Sequence, residues 1–440
     1  MRRKAPTRLA LAASCLFVTV AFASDWPQWR GPLANGVAPQ GNPPIAWSET
    51  QNVRFKIAIP GRGLSTPVVW KSKIFVTSAV PVGEAPAPAP APAEGGRPGR
   101  VVPSGAQRFV LHLIDTSTGE ILWTRTAREA VPHEGTHADG SWASASPVTD
   151  GEVVLAHFGS NGLYAYDLDG KLLWSKDLGD MAARNAFGEG SSPVIAGDTV
   201  VVNWDHEAGS FIVALDKRTG NERWRQSREE VTSWSTPLVV EHGGRKQVVV
   251  AATGRTRAYD LATGEVIWQV GGLTTNVIPS PVESDGVVYL MSGFRGNALQ
   301  AIRLDQAKGE VAGAPAVAWT WDRDTPYVPS PLLYEGILYF LKHNTGTLSA
   351  LDAKTGALRY GPVRLEGLDG AYASPVAAAG RVYVVGRNGV TQVIKAGAEH
   401  VVLATNKLDD RFDASPVIAG NQLLLRGHRY LYALAAPAGK

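Results

Sequence analysis

Two short segments concentrate the side chains of this sequence that could do acid–base or metal chemistry: His133, Glu134, His137 and Asp139 in one, Asp205, His206 and Glu207 in the other. Imidazole nitrogens and carboxylate oxygens are ordinary ligands of zinc and similar divalent ions, so His133, His137, Asp205 and His206 are the candidate metal ligands. Two histidines four residues apart share a face only on a helix. Gly135 and Gly140 interrupt that segment, which favours the competing reading, polar side chains that satisfy the backbone of long loops. A second available chemistry is the recognition of an organic acid. Trp142, Trp234 and Tyr327 offer flat rings for stacking, and Arg62, Arg184 and Arg228 offer guanidinium forks that match carboxylates. Nucleophilic catalysis has little support, because no Gly-x-Ser-x-Gly elbow occurs and the single cysteine, Cys15, lies in an apolar N-terminal stretch. Nor does the chain carry a glycine-rich phosphate loop.

The elements that must position these residues follow from a repeat. Pro67, Pro147, Pro193, Pro237, Pro281, Pro331, Pro375 and Pro416 each follow Ser or Thr and precede Val or Leu, at spacings of 80, 46, 44, 44, 50, 44 and 41 residues. A period near 44 signals a propeller or a solenoid. Within each period three β-rich runs are separated by turn signals and a fourth run follows, which is one four-stranded propeller blade. Proline has no N–H, so it suits the first residue of the innermost strand, at the sheet edge. The hairpin signature Asp-x-x-Thr-Gly recurs at Asp115–Gly119, Asp216–Gly220, Asp260–Gly264 and Asp352–Gly356. Shortly after it, Trp123, Trp174, Trp224 and Trp268 fall on the outermost strand, where a large ring fills the wedge between blades. Trp319 or Trp321 takes that place in the fifth copy, and Tyr360 is a weak substitute in the sixth.

The last copy supplies three strands before the chain ends, and the run VRFKIAIPG ahead of the first Thr-Pro puts Phe55 at the tryptophan position. The expected fold is therefore all-β: an eight-bladed β-propeller of four-stranded antiparallel blades, closed by its own N-terminal strand, which removes free sheet edges. The long first spacing holds an insertion, residues 81–107, whose Pro/Ala tract favours extended structure and is expected to be a surface loop. Residues 24–440 are read as one domain. Residues 1–23 combine a basic start, an apolar run and an Ala-Phe-Ala ending, which reads as a cleaved signal peptide, leaving no transmembrane segment. Lipid attachment at Cys15 is the disfavoured alternative. The four basic residues of that segment account for the formal net charge of +3, and without them 39 basic residues face 40 acidic ones. A basic nucleic-acid footprint is thus not supported.

The Ser-Pro-Val opening, the Asp-x-x-Thr-Gly turn and the following Trp resemble the PQQ-like β-propeller repeat family. DWPQWRGP and VRFKIAIPGRGLSTPVVW look like its secreted bacterial members. One branch, the quinoprotein dehydrogenases, implies pyrroloquinoline quinone over the propeller centre beneath an adjacent-cysteine disulfide, with Ca²⁺ and a catalytic Asp. The sequence lacks the cysteines for that disulfide, and the expectation is no cofactor. The chain is more similar to the other branch, the propeller subunit of the outer-membrane barrel-assembly machinery. That likeness implies a non-catalytic scaffold in the periplasm or outside the cell, gripping a protein or peptide partner of the cell envelope, and the chain is expected to be monomeric. The alternative is a degenerate quinone- or metal-dependent enzyme. Loops entering the innermost strands and loops joining strands two and three share one face, so the expected partner rim comprises Arg62, Asp139, Trp142, Arg184, Asp205, His206, Glu207, Arg228, Glu229, Trp234, Tyr327 and Arg411.

Overall fold

The computed structural model describes residues 25–83, 99–313 and 315–437. The proposed signal segment, Cys15 and the centre of the Pro/Ala insertion lie outside these residues. Among the described residues eight sheets with four antiparallel strands form the blades, seven of them joined in chain order from the innermost strand outwards and the eighth completed by the N-terminal strand; the sheet containing Leu238–His242 has a fifth strand, and a two-stranded ribbon lies outside the blades. Blades are numbered 1 to 8 from the one that starts at Val68. Among the described residues no helix is long and apolar enough to cross a membrane.

Each innermost strand begins just after an anchor proline, and the Ser or Thr before that proline links neighbouring blades. The backbone N–H of Thr66 donates to the Ser146 hydroxyl at 2.9 Å, Ser146 N–H to Ser192 at 2.9 Å and Ser192 N–H to Thr236 at 3.1 Å. Thr236 continues to Ser280, Ser280 to Ser330, Ser330 to Ser374 and Ser374 to Ser415, at 2.8 to 3.0 Å. These seven bonds are buried, so each contributes about 1 kcal/mol net and costs more if its acceptor is removed. Where blade 8 meets blade 1, the buried Arg426 reaches across the interface to the carbonyls of Ser65 and Thr77 and the hydroxyl of Ser78, at 3.0, 2.8 and 3.1 Å.

At the outer edge a second device joins the blades. The turn glycines have positive φ, and a Cβ on Gly220 would stand 2.7 Å from the Trp174 ring; Gly264 stands likewise to Trp224 and Gly356 to Trp319. The indole N–H groups of those three tryptophans donate to Lys217, Leu261 and Ala353 carbonyls beside the same turns. Each outermost ring therefore lies flat over the turn of the next blade. Trp319 rather than Trp321 holds the repeat position, opposite Ala301. Trp268 has no such turn to cover, and Gly309–Glu310 of blade 5 instead adds a parallel strand beside it.

Val53–Ala58 pairs antiparallel with Tyr430–Leu434 and completes blade 8, with the buried Phe55 over Gly119 of blade 1. The segment ahead of it crosses the propeller axis. Trp26 bridges Val69 of blade 1, the Pro27 carbonyl accepts from Thr149 of blade 2, and Ala38 bonds Ala377 of blade 7. Arg30, 4 % exposed, donates to the carbonyls of Pro375, Pro331 and Asn35 at 3.0, 2.9 and 3.1 Å. Ends of the insertion are also ordered: Pro81 and Gln107 close a long hairpin, and Arg100–Val101 pairs with Thr136–His137.

Candidate functional site

On the face of the entry loops, blades 1, 7 and 8 converge on two carboxylates. Asp139 comes from the connection entering blade 2, and Tyr372, Arg387, Arg411, Asp413 and His428 from blades 7 and 8 and the loops entering them. Asp139 accepts from Arg387 at 2.8 Å, from the Tyr372 hydroxyl at 3.2 Å and from Arg411. Asp413, with 1 % of its side chain exposed, binds Arg387 at 2.6 Å, Arg411 at 3.2 Å and His428 at 2.8 Å. The Arg387 guanidinium lies 3.7 Å from the Tyr372 ring centre. Burial opposes the charge on Arg411, but Asp413 and Asp139 outweigh it and hold its pKa above the ordinary value. Burial and then the nearby Arg411 lower Arg62, which donates to the Ala138 carbonyl at 2.6 Å. Tyr372, Arg387, Lys407, Arg411 and Arg429 line an open groove of about 720 Å³ here. Of the residues expected on the rim, Asp139 and Arg411 thus meet. Arg387, Asp413 and His428 complete the network, and only their positions in the strand-two-to-three and entry loops signalled it.

Arg184 and Glu207 form a second rim group, 3.2 Å apart, with Thr232, Thr275 and Asn276 as further partners of the two side chains. Glu229 is exposed in the same region. Asp205 and Arg228 are a correction to the rim assignment, since both side chains are wholly buried. Arg228 grips Asp205 through two bonds of 2.6 and 3.0 Å and donates to the Tyr259 hydroxyl at 2.7 Å, while Ser233 donates to the same carboxylate at 2.6 Å. Burial works against the Arg228 charge, but Asp205 reverses the effect and raises its pKa.

The three histidines among the candidate metal ligands are each engaged by the backbone. His133 Nε2 bonds the Met181 carbonyl at 2.8 Å, His137 Nδ1 accepts from Asp139 N–H at 3.1 Å, and His206 binds Ala182 N–H and the Gly209 carbonyl at 3.0 and 3.1 Å. With Asp205 held by Arg228, no group of three or more His, Cys, Asp or Glu is arranged to hold a metal among the described residues. These histidines shape loops.

Inside the rim an axial cavity of about 470 Å³ is walled by the anchor Ser and Thr residues and by Phe187, Trp234, Phe294, Tyr327 and Tyr372, and Trp29 of the axis-crossing segment closes it. Phe294 and Tyr327 are stacked 4.7 Å apart, and the Trp234 indole is fixed by a 2.8 Å bond to the Gly188 carbonyl. Trp142 does not line this cavity; with Trp234 and Glu189 it borders a recess of about 30 Å³ beside it, fixed by a 2.9 Å bond to Glu134. Asp139, Glu189 and Asp413 are the ionisable carboxylates on the axial wall, and neither Lys nor Arg lines it. A polycarboxylate quinone does not fit that wall: Arg62, Arg184 and Arg228, the forks that would pair its acid groups, are committed elsewhere, and the carboxylates present would repel it.

A family model described as outer membrane protein assembly factor BamB matches residues 68–210 and 207–440. The outer membrane protein assembly factor BamB of Shewanella oneidensis is 22 % identical over 307 residues, 66 % of this chain and 67 % of that protein. The BamB of Kangiella koreensis is 32 % identical over 135 residues, 30 % of this chain and 32 % of that protein. Among solved structures, BamB from Moraxella catarrhalis superposes with a TM-score of 0.58 at 15 % identity, covering 86 % of this chain and 98 % of that one. A europium-containing methanol dehydrogenase superposes with a TM-score of 0.63 at 10 % identity, covering 91 % of this chain and 89 % of that one. Such low identities carry the fold alone, and one fold hosts many activities.

Proposed function

The chain belongs to the family described as outer membrane protein assembly factor BamB, and from that premise we propose that it is a non-catalytic, extracytoplasmic scaffold in outer-membrane protein assembly. It holds a protein or peptide partner of the cell envelope against the rim of blades 7, 8 and 1. The observation that carries this reading is the pre-ordered charge network there. Asp139, Arg387, Arg411 and Asp413 fix one another across blades, so little side-chain entropy is lost when a partner docks. Arg411 keeps 43 % of its side chain exposed and faces the open groove, and arginine is a frequent anchor of binding energy at interfaces. Cross-linking followed by affinity recovery from envelope extract tests the proposal. The full-length protein should recover a discrete partner, and Arg62→Ala with Arg411→Ala should cut recovery at least fivefold with thermal stability nearly unchanged. Equal recovery by the double variant would remove this rim from consideration.

A further inference from the structure

We propose that the axial cavity is a binding site for an organic cation, an ammonium or guanidinium group carried on an apolar body, with Glu189 as its counter-ion and the aromatic wall as its cage. The proposal rests on the chemistry of the cavity itself and does not depend on the scaffold reading.

Three observations converge. The wall is aromatic, with six rings that include Trp29 and Trp234, and ring faces attract cations through their quadrupoles, most strongly when water is excluded. The wall carries three carboxylates, with the His137 imidazole beside them and no Lys or Arg. Two of them, Asp139 and Asp413, are already matched by Arg387 and Arg411. Glu189 is not: among the described residues no Lys or Arg pairs with it, and its partners are the Ser160 N–H at 2.7 Å and hydroxyl at 2.5 Å. Burial pushes Glu189 up to about 7 against the opposing pull of the Ser160 hydrogen bonds and the nearby His133, the behaviour of a carboxylate taken from water without a full counter-charge.

The third observation is where Glu189 sits. The axial cavity and the small recess between blades 2 and 3 share Ser144, Gly188, Glu189, Gly190 and Trp234, so Glu189 lies in the wall between them, with its carboxylate turned to Ser160 on the recess side. The recess is also bordered by His157, which is 2 % exposed, stands against the Ser191 backbone and makes no well-formed hydrogen bond through either ring nitrogen. Burial pushes His157 down to about 4, so it stays neutral and can accept a hydrogen bond from an N–H group. Buried polar groups are nearly always satisfied, and an imidazole without a well-formed hydrogen bond, lining the same recess as a carboxylate that has no ion-pair partner, marks a place for a donor. A cavity of about 470 Å³ is within the ordinary range for small-molecule sites. It also admits a lysine or arginine side chain reaching in from a bound protein.

Isothermal titration of the intact protein with choline, its neutral isostere 3,3-dimethylbutan-1-ol, and capped pentapeptides with a central lysine or norleucine separates these cases. Choline, the lysine peptide or both should bind at least tenfold more tightly than the neutral counterpart. Saturation by choline points to a free ligand, and saturation by the peptide alone points to a partner's side chain. Affinity should rise about tenfold from pH 6 to pH 8 as Glu189, pushed up to about 7, ionises; His133 and Glu134 beside it and His137 on the cavity wall are the other titratable groups that face the site, and the Glu189 variant separates its step from theirs. Glu189→Gln, which keeps the acceptor for Ser160, should erase that pH step and weaken binding, and Trp234→Leu should weaken it at every pH. Equal binding of cation and isostere, or no saturable heat with either cation, would overturn the proposal.

Discussion

Asp205 and Arg228 sit in entry and return loops of the repeat, where position alone puts a side chain on the rim, yet both are wholly buried. The reason is a set of partners from the blade interior and the next blade: Ser233 and Tyr259 turn this loop inward, and a charge taken from water requires the bidentate match it finds. Sequence position could not reveal that choice, because it depends on which loops dip between blades. Asp205→Ala leaves a buried guanidinium unpaired and should cost about 3–5 kcal/mol, read as a large fall in the denaturation midpoint. Glu189 sets a different signature at the same scale. Its folded pKa, about 7, lies above the ordinary carboxylate value, so the native state holds the proton more tightly and stability falls as pH rises from about 4.5 to 7. Glu189→Gln should flatten that slope in melting curves taken across pH 5 to 8, and an unchanged slope would remove Glu189 as its cause.

At the scale of elements, the repeat made most of the architecture legible. The prolines marked each innermost strand, and the turn aspartates do bond their own loop, as Asp216 does to Arg218 and Thr219 N–H at 3.0 Å. What stayed hidden was the reach of each motif into its neighbour. Ser and Thr before proline read as strand openings, whereas they are the acceptors that link adjacent blades, and no period within one blade can show a contact between two. Gly220 likewise read as turn chemistry, although the Trp174 ring above it also demands the missing Cβ. Gly220→Ala combines a left-handed backbone with that clash, and should cost at least about 1–2 kcal/mol in chemical denaturation. The turn carboxylates add an acid limit. Arg223 and the turn hydroxyl and amides hold Asp216 down at about 2, so its stabilisation is present above the ordinary pKa and is lost as pH falls from about 4 to 2. Asp216→Asn should shrink the loss of stability across that window.

Closure is the property of the whole molecule, and its parts come from the two ends of the chain. Val53–Ala58 supplies the outer strand of blade 8, Phe55 covers Gly119 of blade 1, and Arg426 bonds blade 1 from within. The borrowed strand was readable because three strands at one end and an orphan strand at the other leave one pairing. The axial crossing was not readable, since DWPQWRGP carries no strand period; its fit depends on Arg30 finding the carbonyls of Pro331 and Pro375, three hundred residues away in the chain. A ring whose every blade packs its two faces against neighbours has no weakest terminal repeat from which to fray, unlike an open array with capping units. Phe55→Ala distinguishes the two behaviours. It should cost about 3 kcal/mol, and in a closed ring that loss is shared, so calorimetry should show one transition displaced to lower temperature. An early, separate transition accounting for about an eighth of the enthalpy would mean that blade 8 melts alone and that the interblade bonds do not make the ring a single cooperative unit.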